Sequence, residues 1–346
     1  MGYFRETIEQ MAGYAPGFQP KQPDAVKLNT NENPWPASPK VFEAIGNLTA
    51  ENLQKYPEAT GDSFRTSAAA VLGIEPENII CTNGGDDLLT LCFRAFCDAN
   101  RPVAYAQPTY SLYPVLAEIQ GCEAMEIPRD ADGSLDELAR INAPLTIVCN
   151  PNAPTCEMLR IDSLARLAGK LTGVLLIDEA YVDFAEDNAI RLIKDYDNII
   201  ILRSMSKGYS LAGLRFGFGI AQKSLINGLM KIKDSYNADV VALSAATAAI
   251  SDQPHLKLNV EKIKSERTRL TQQLRSMGFE VGDSQTNFIL AQYGQKNAED
   301  IDKKLEQQDI YIRYFALPGL GDKLRITIGT PQQNDKLLAA LKEVIA

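Results

Sequence analysis

The chain has 346 residues, 45% of them hydrophobic and 23% charged, with a formal net charge of -9. That length buries a large core and suits one large domain plus a smaller one, while the acidic balance opposes broad contact with nucleic acid or an anionic membrane, so any phosphate bound here needs a local pocket. Six scattered cysteines (Cys81, Cys92, Cys97, Cys122, Cys149, Cys156) form no CxxC pair and the only histidine is His255, which argues against a disulfide framework, a metal site or a Ser-His-Asp triad. Charges stand at the N-terminus where a leader needs an apolar run, and the longest nearly uncharged apolar segment, 240–250, is too short to span a membrane. A cytoplasmic protein with small-molecule partners is expected.

The first 28 residues hold Gly13, Pro16, Gly17, Pro20 and Pro23, so a short helix over 7–11 should lead into an extended arm. The Asn- and Pro-rich run 28–36 then delivers the chain to a helix starting at Ser38-Pro39, and a second helix, 63–72, stops at Gly73. From 79 to 201 short β-rich runs (79–82, 103–106, 123–127, 145–149, 174–177, 198–202) alternate with helical periods (86–96, 110–119, 135–141, 163–171, 190–195), the pattern of a mostly parallel sheet sandwiched by crossover helices. Residues 215–220 read as one further strand. Beyond about residue 223 come long helices through Met230, Ala242 and 257–277, then strands at 279–281, 287–291, 310–314 and 324–328 with helices at 300–307 and 332–345, a smaller α+β domain. The expected division is an arm over 1–28, a large domain over 29–250 and a small domain over 251–346.

In open α/β sheets ligands bind beyond the carboxyl ends of the strands, so chemistry is sought there. At 82–87 small residues lead straight into a helix whose N–H groups can meet a phosphate, or form a plain turn. Tyr110 follows another strand and can stack on a flat heteroaromatic ring, or pack in the core. The loop 150–155 offers the amide of Asn152. Asp178 ends an apolar strand, where a carboxylate needs a cation such as a protonated pyridine nitrogen, a helix cap or a buried ion pair. The stretch 204–215 places Lys207 among Ser204, Ser206 and Arg215. Two hydroxyls and a guanidinium can hold a phosphate dianion while the amine attacks a carbonyl, the needs of pyridoxal phosphate, although a polar turn with a solvated lysine has the same residues.

Taken together, residues 28–34 (LNTNENP), 56–58 (YPE), 84–87 (GGDD), 108–110 (PTY), 151–155 (PNAPT), 178–181 (DEAY), 204–207 (SMSK), 211–215 (LAGLR) and 324–330 (LRITIGT) resemble, in order and spacing, the fold type I pyridoxal-phosphate aminotransferases, most closely the histidinol-phosphate aminotransferases. The resemblance implies a homodimer that passes an amino group from histidinol phosphate, a phosphorylated amino alcohol, to 2-oxoglutarate, giving glutamate. It implies Lys207 as covalent anchor of pyridoxal 5'-phosphate and then general base, with Asp178 on the pyridinium nitrogen and Tyr110 against the ring. Gly85, Asp86, Ser204, Ser206 and Arg215 would take the cofactor phosphate, Tyr181 the phenolic oxygen, and Tyr56 the phosphate of the partner subunit. Arg313 and Arg325 match the arginines that take an anionic substrate, with Tyr14 and Asn31 closing that side. Many relatives read PNNPTG where this chain has Ala153 and Cys156, so either Asn152 turns inward or Tyr181 and water serve the phenolic oxygen. Neighbouring activities are aromatic amino acid transamination and a threonine-phosphate decarboxylase-like lyase; a pyridoxal-phosphate-binding protein without turnover stands outside the enzymes.

Overall fold

The computed structural model describes residues 2–14, 16–129 and 135–346; Met1 and Ala15, both in the expected arm, lie outside the described residues. The strands are β1 (Val26–Lys27), β2 (Ile79–Thr82), β3 (Val103–Gln107), β4 (Ala124–Pro128), β5 (Leu145–Cys149), β6 (Val174–Asp178), β7 (Ile199–Ser204), β8 (Gly217–Ala221), β9 (Glu280–Val281), β10 (Phe288–Gln292), β11 (Ile310–Tyr311), β12 (Arg313–Tyr314) and β13 (Lys323–Thr327). Seven of them form one sheet in the order β2-β8-β7-β6-β5-β3-β4. Only β8 runs against its neighbours β2 and β7; the other pairings are parallel. The carboxyl ends of β2, β3, β5, β6 and β7 therefore share one edge.

The apolar composition of β5 and β6 follows from helices covering both sheet faces: all ten of their residues are buried. The covering helices supply matching stripes, as in Ile161–Lys170, where Ile161, Leu164, Leu167 and Ala168 turn inward. Helix Val240–Ser251 starts where the Asp239 carboxylate accepts the Ala242 N–H at 2.8 Å.

A second core gathers around the antiparallel sheet β12-β13-β10-β9 and the helices Gln253–Ser276, Ala298–Glu306 and Pro331–Ile345. The expected single strand over 310–314 is two strands. β11 pairs in parallel with β1, Val26 opposite Ile310, while β12 pairs with β13. Val26 and Leu28, from the end of the N-terminal arm, are buried in this second core. The expected helix at 190–195 is a 3-10 segment, Ile190–Lys194, and helix Ala50–Gln54 is not among the expected elements. Among the described residues no helix is long and apolar enough to cross a membrane.

Candidate active site

A cavity of about 510 Å³ opens at the shared strand edge. Gly85, Asp86, Tyr110, Asp178, Tyr181, Ser204, Ser206, Lys207 and Arg215 line it from the large sheet's side. Tyr14, Asn31, Arg313 and Arg325 line it from the arm and the second core.

Lys207 stands at the centre. Its Nζ donates to the Thr30 carbonyl oxygen at 3.2 Å and lies 5.8 Å from the centre of the Tyr181 ring. Burial, with the Arg325 and Arg215 guanidiniums acting the same way against Glu32 and Asp86, pushes its pKa down to about 8. Near neutral pH a useful fraction of the amine is therefore unprotonated, as a nucleophile requires.

Asp178, 4% exposed at the end of β6, is the cavity's buried carboxylate. Burial pushes its pKa up to about 6, although the Tyr113 hydroxyl and the Ala180 N–H, donating at 2.7 and 3.0 Å, favour the charged form. No motif in the sequence singles out Tyr113. It sits one helical turn beyond Tyr110, where a buried tyrosine hydroxyl needs an acceptor. Tyr113→Phe would leave one oxygen of Asp178 short of its donor, and a loss of about 1.5–3 kcal/mol in urea unfolding at neutral pH is expected for a bond to a charged group. A loss below about 0.5 kcal/mol would mean that the bond contributes no more than an ordinary surface contact.

At the other end of the cavity the first turn of helix Gly85–Phe96 faces Arg215. Gly84 has φ +84°, and a Cβ there would come within 2.8 Å of Arg215 Nη2, so glycine leaves room for the guanidinium. Arg215, itself at φ 51°, donates from Nη1 to Ser206 Oγ at 3.4 Å and pairs from Nη2 with Asp86 at 3.2 Å. The Tyr110 hydroxyl also donates to Asp86, at 3.4 Å. Helix N–H groups, two serine hydroxyls and a guanidinium converge here as an anion receptor.

On the opposite wall Arg325 donates to the Asn29 carbonyl oxygen at 2.7 Å and lies over Phe288 and Phe315, each at 5.3 Å. Its buried Nε has no partner among the described residues. Arg313 lies over the same Phe315. The Asn31 amide donates to the Tyr181 hydroxyl at 2.9 Å, and the Tyr14 ring meets Tyr110 edge-on.

Two expected residues are placed elsewhere. Asn152 is buried and does not line the cavity: its amide nitrogen donates to Pro108 O and Thr155 Oγ1 at 3.0 and 2.9 Å, and its oxygen accepts from Thr109 Oγ1 at 3.0 Å. Its hydrogen-bonding capacity is spent on its own loop, so the inward turn considered for Asn152 is corrected; Ala153 lines the cavity instead. Tyr56 stands 80% exposed, stacked on Tyr236 at 4.4 Å and outside this cavity. His255 is also remote, its Nε2 3.1 Å from Pro36 O, and no His, Cys, Asp and Glu cluster suited to a metal occurs among the described residues.

The donor set fits pyridoxal 5'-phosphate, a flat aromatic aldehyde with a phosphate on one side and a basic ring nitrogen on another. The anion receptor would hold the phosphate, Asp178 the protonated ring nitrogen, Lys207 the aldehyde carbon, Tyr181 the phenolic oxygen and Tyr110 a ring face. The unpartnered Nε of Arg325 leaves a buried cationic donor for a second anion.

Comparison with known proteins agrees with this chemistry. The profile described as aminotransferase class I and II matches residues 23–341. Histidinol-phosphate aminotransferase 1 of Nostoc sp. is 47% identical over 99% of this chain and 98% of its own. The histidinol-phosphate aminotransferase of Citrifermentans bemidjiense is 42% identical, with 98% of each covered. Among solved structures, the histidinol-phosphate aminotransferase of Sinorhizobium meliloti in complex with pyridoxal-5'-phosphate superposes with a TM-score of 0.92 at 28% identity, covering 100% of this chain and 98% of that one. With its lysine, buried carboxylate and anion receptor set on a matching fold, the chain belongs to the class I and II aminotransferases.

Proposed function

We propose that the protein is a pyridoxal-phosphate-dependent aminotransferase that takes the amino group of histidinol phosphate and passes it to 2-oxoglutarate, yielding imidazole acetol phosphate and glutamate in histidine biosynthesis. The observation that carries this reading is one cavity that holds Lys207, with its pKa near 8, between the buried carboxylate of Asp178 and the paired arginines Arg313 and Arg325. Bound, the cofactor supplies an electron sink that weakens the substrate Cα–H bond and carries the amino group between the two half-reactions. The chain's own residues do the rest. The neutral Nζ of Lys207 would take the proton from the substrate Cα and deliver it to the cofactor carbon that keeps the nitrogen, not back to Cα, so that hydrolysis releases the carbonyl product. Asp178 holds a proton on the ring nitrogen by its negative charge. Arg313 and Arg325 fork around the phosphate of one substrate and the carboxylate of the other, which share an anionic end but differ in length. The arm residues Tyr14, Pro16 and Gly17 line the mouth and restrict water.

The substrate assignment draws on histidinol-phosphate aminotransferases 39–47% identical over nearly the full chain. We also propose a cytoplasmic homodimer in which Tyr56 reaches the partner's cofactor phosphate. Its exposed ring, stacked on Tyr236, suits a covered surface, and six free thiols suit a reducing compartment.

The test is a coupled assay of histidinol phosphate, phenylalanine and threonine phosphate, each with and without 2-oxoglutarate. Turnover of histidinol phosphate that needs 2-oxoglutarate is expected, with kcat/KM at least about tenfold above phenylalanine, since a phosphate held by two arginines contributes more than one charge-assisted bond. Preference for phenylalanine would replace the substrate, and carbon dioxide release from threonine phosphate without an acceptor acid would replace the reaction. Sedimentation at micromolar concentration should give twice the monomer mass, and a monomer would remove the role of Tyr56.

A further inference from the structure

A charged cluster that the mechanism above does not use lies next to Lys207. Glu179 follows Asp178 in the chain, and its side chain is fully buried. One of its oxygens pairs with Arg203 Nε at 2.7 Å and the other accepts the Ala189 N–H at 2.6 Å. Arg203 lies on β7, four residues before Lys207. Asp183 comes from the 3-10 turn Val182–Phe184. None of Glu179, Asp183 and Arg203 lines the cavity.

The carboxylate of Asp183 stands against the Gly208 peptide. A Cβ added at Gly208 would lie 2.3 Å from Asp183 Oδ2, so glycine is required for that approach. Burial raises the Asp183 pKa to about 6; Arg203 and the Gly208 N–H favour its charged form, while Glu179 opposes it. The Asn33 amide also grips this turn, donating to the carbonyl oxygens of Lys207 and Gly208 at 3.1 and 3.2 Å. One guanidinium is thus shared, by ion pair or by field, between the strand end that carries Asp178 and the carboxylate that abuts the turn carrying Lys207. A guanidinium holds its partners in a fixed planar fork, and low exposure limits screening of these charges.

We propose that Asp183, braced by the Arg203–Glu179 pair, is a positioning residue that clamps the Gly208 peptide opposite Asn33 and so fixes Lys207 Nζ relative to Asp178. The inference rests on the aminotransferase reading for the task of Lys207. Asp183 touches neither substrate nor cofactor; it acts through the turn. Displacing a reacting group by about 1 Å lowers a rate about a hundredfold, so a clamp of this kind is visible in kcat.

Asp183→Ala leaves Arg203 paired with Glu179, a balanced pair that lets the variant fold. In the holoenzyme it is expected to lower kcat about 10- to 100-fold with KM for histidinol phosphate changed less than about threefold. The pH midpoint of the bound cofactor's absorbance should shift, a readout independent of turnover. Asp183→Asn, whose carbonyl oxygen still accepts from Gly208, should recover most of the loss. Gly208→Ala should be impaired alone, and Asp183→Ala with Gly208→Ala no worse than Asp183→Ala, because the methyl then occupies the vacated carboxylate position. In a Lys207→Ala background with methylamine supplied as base, Asp183→Ala should change the rescued rate less than about twofold, since no lysine is left to position. An Asp183→Ala enzyme with parental kcat and absorbance midpoint overturns the clamp, as does an equal loss in the methylamine-rescued background, which would mark general damage. A Lys207→Ala protein that keeps more than about a hundredth of the parental rate without amine would instead remove the task assigned to Lys207, a failure separate from that of the clamp.

Discussion

Lys207→Ala is expected to lower glutamate formation from histidinol phosphate and 2-oxoglutarate about ten-thousand-fold, because one side chain is both covalent anchor and proton carrier. The fold should survive. Among the described residues Nζ makes one hydrogen bond, to the Thr30 carbonyl oxygen, and burial already disfavours its charge. Lys207→Arg should be nearly as inactive despite keeping the charge, since a guanidinium cannot lose its proton near neutral pH. Single-turnover formation of glutamate is the measurement. An alanine variant that retains more than about a hundredth of the parental rate would leave the proton carrier unidentified.

Asp178→Asn should separate activity from stability. Removing the carboxylate that holds the ring-nitrogen proton is expected to reduce kcat about 10²- to 10³-fold, the usual effect of losing one electrostatic contact to developing charge. The apoprotein should become more stable. Asp178 has a pKa of about 6 in the folded chain against an ordinary 3.8, so between those values the folded state binds more protons than the unfolded one. Stability from this group is present at low pH, falls as pH rises from about 4 to 6 and stays lost above. Two pKa units correspond to about 2–3 kcal/mol. Asparagine has one acceptor oxygen for the two donors Tyr113 and Ala180, which returns about 1 kcal/mol. A net gain of about 1–2 kcal/mol at pH 7.5, vanishing by about pH 4, is expected by calorimetry of the apoprotein. With pyridoxal phosphate bound the order should reverse, because the parental carboxylate then has a cation. An apoprotein midpoint at pH 7.5 unchanged by the substitution would show that the carboxylate is not strained by burial.

The site residues legible without the family resemblance share one property: each stands in the loop or first helical turn after a strand, or at the strand's last residue. Asp178 ends a five-residue apolar run, Tyr110 and Gly85 follow strand ends, and Lys207 and Arg215 flank the turn between β7 and β8. Strand periodicity and the rule that ligands gather at carboxyl ends suffice for these. Tyr113 was not legible, because its neighbours show an ordinary amphipathic helix and its acceptor lies 65 residues away. Thr30 acts on Lys207 through its backbone oxygen, which no residue type encodes. Asn152 misled because its position in the loop was clear while its competing partners, Pro108, Thr109 and Thr155, were not. Residues 310–314 read as one strand, since β propensity does not report that Ile312 divides two pairings made with different partners.

The pairing of β1 with β11 also sets the order of events during synthesis. Residues 29–31, just after β1, supply the carbonyl oxygens that hold Arg325 and Lys207 and the amide that holds Tyr181. At about 5–20 residues per second, roughly 280 further residues take about 14–56 s to emerge before Ile310 can meet Val26. During the last roughly 90 residues of that interval, about 4–18 s, the seven-stranded sheet, complete at residue 221, can fold, while the segment that finishes the cavity has no strand to dock on. A nascent chain is therefore unable to close its site around substrate until nearly the whole polypeptide has left the ribosome.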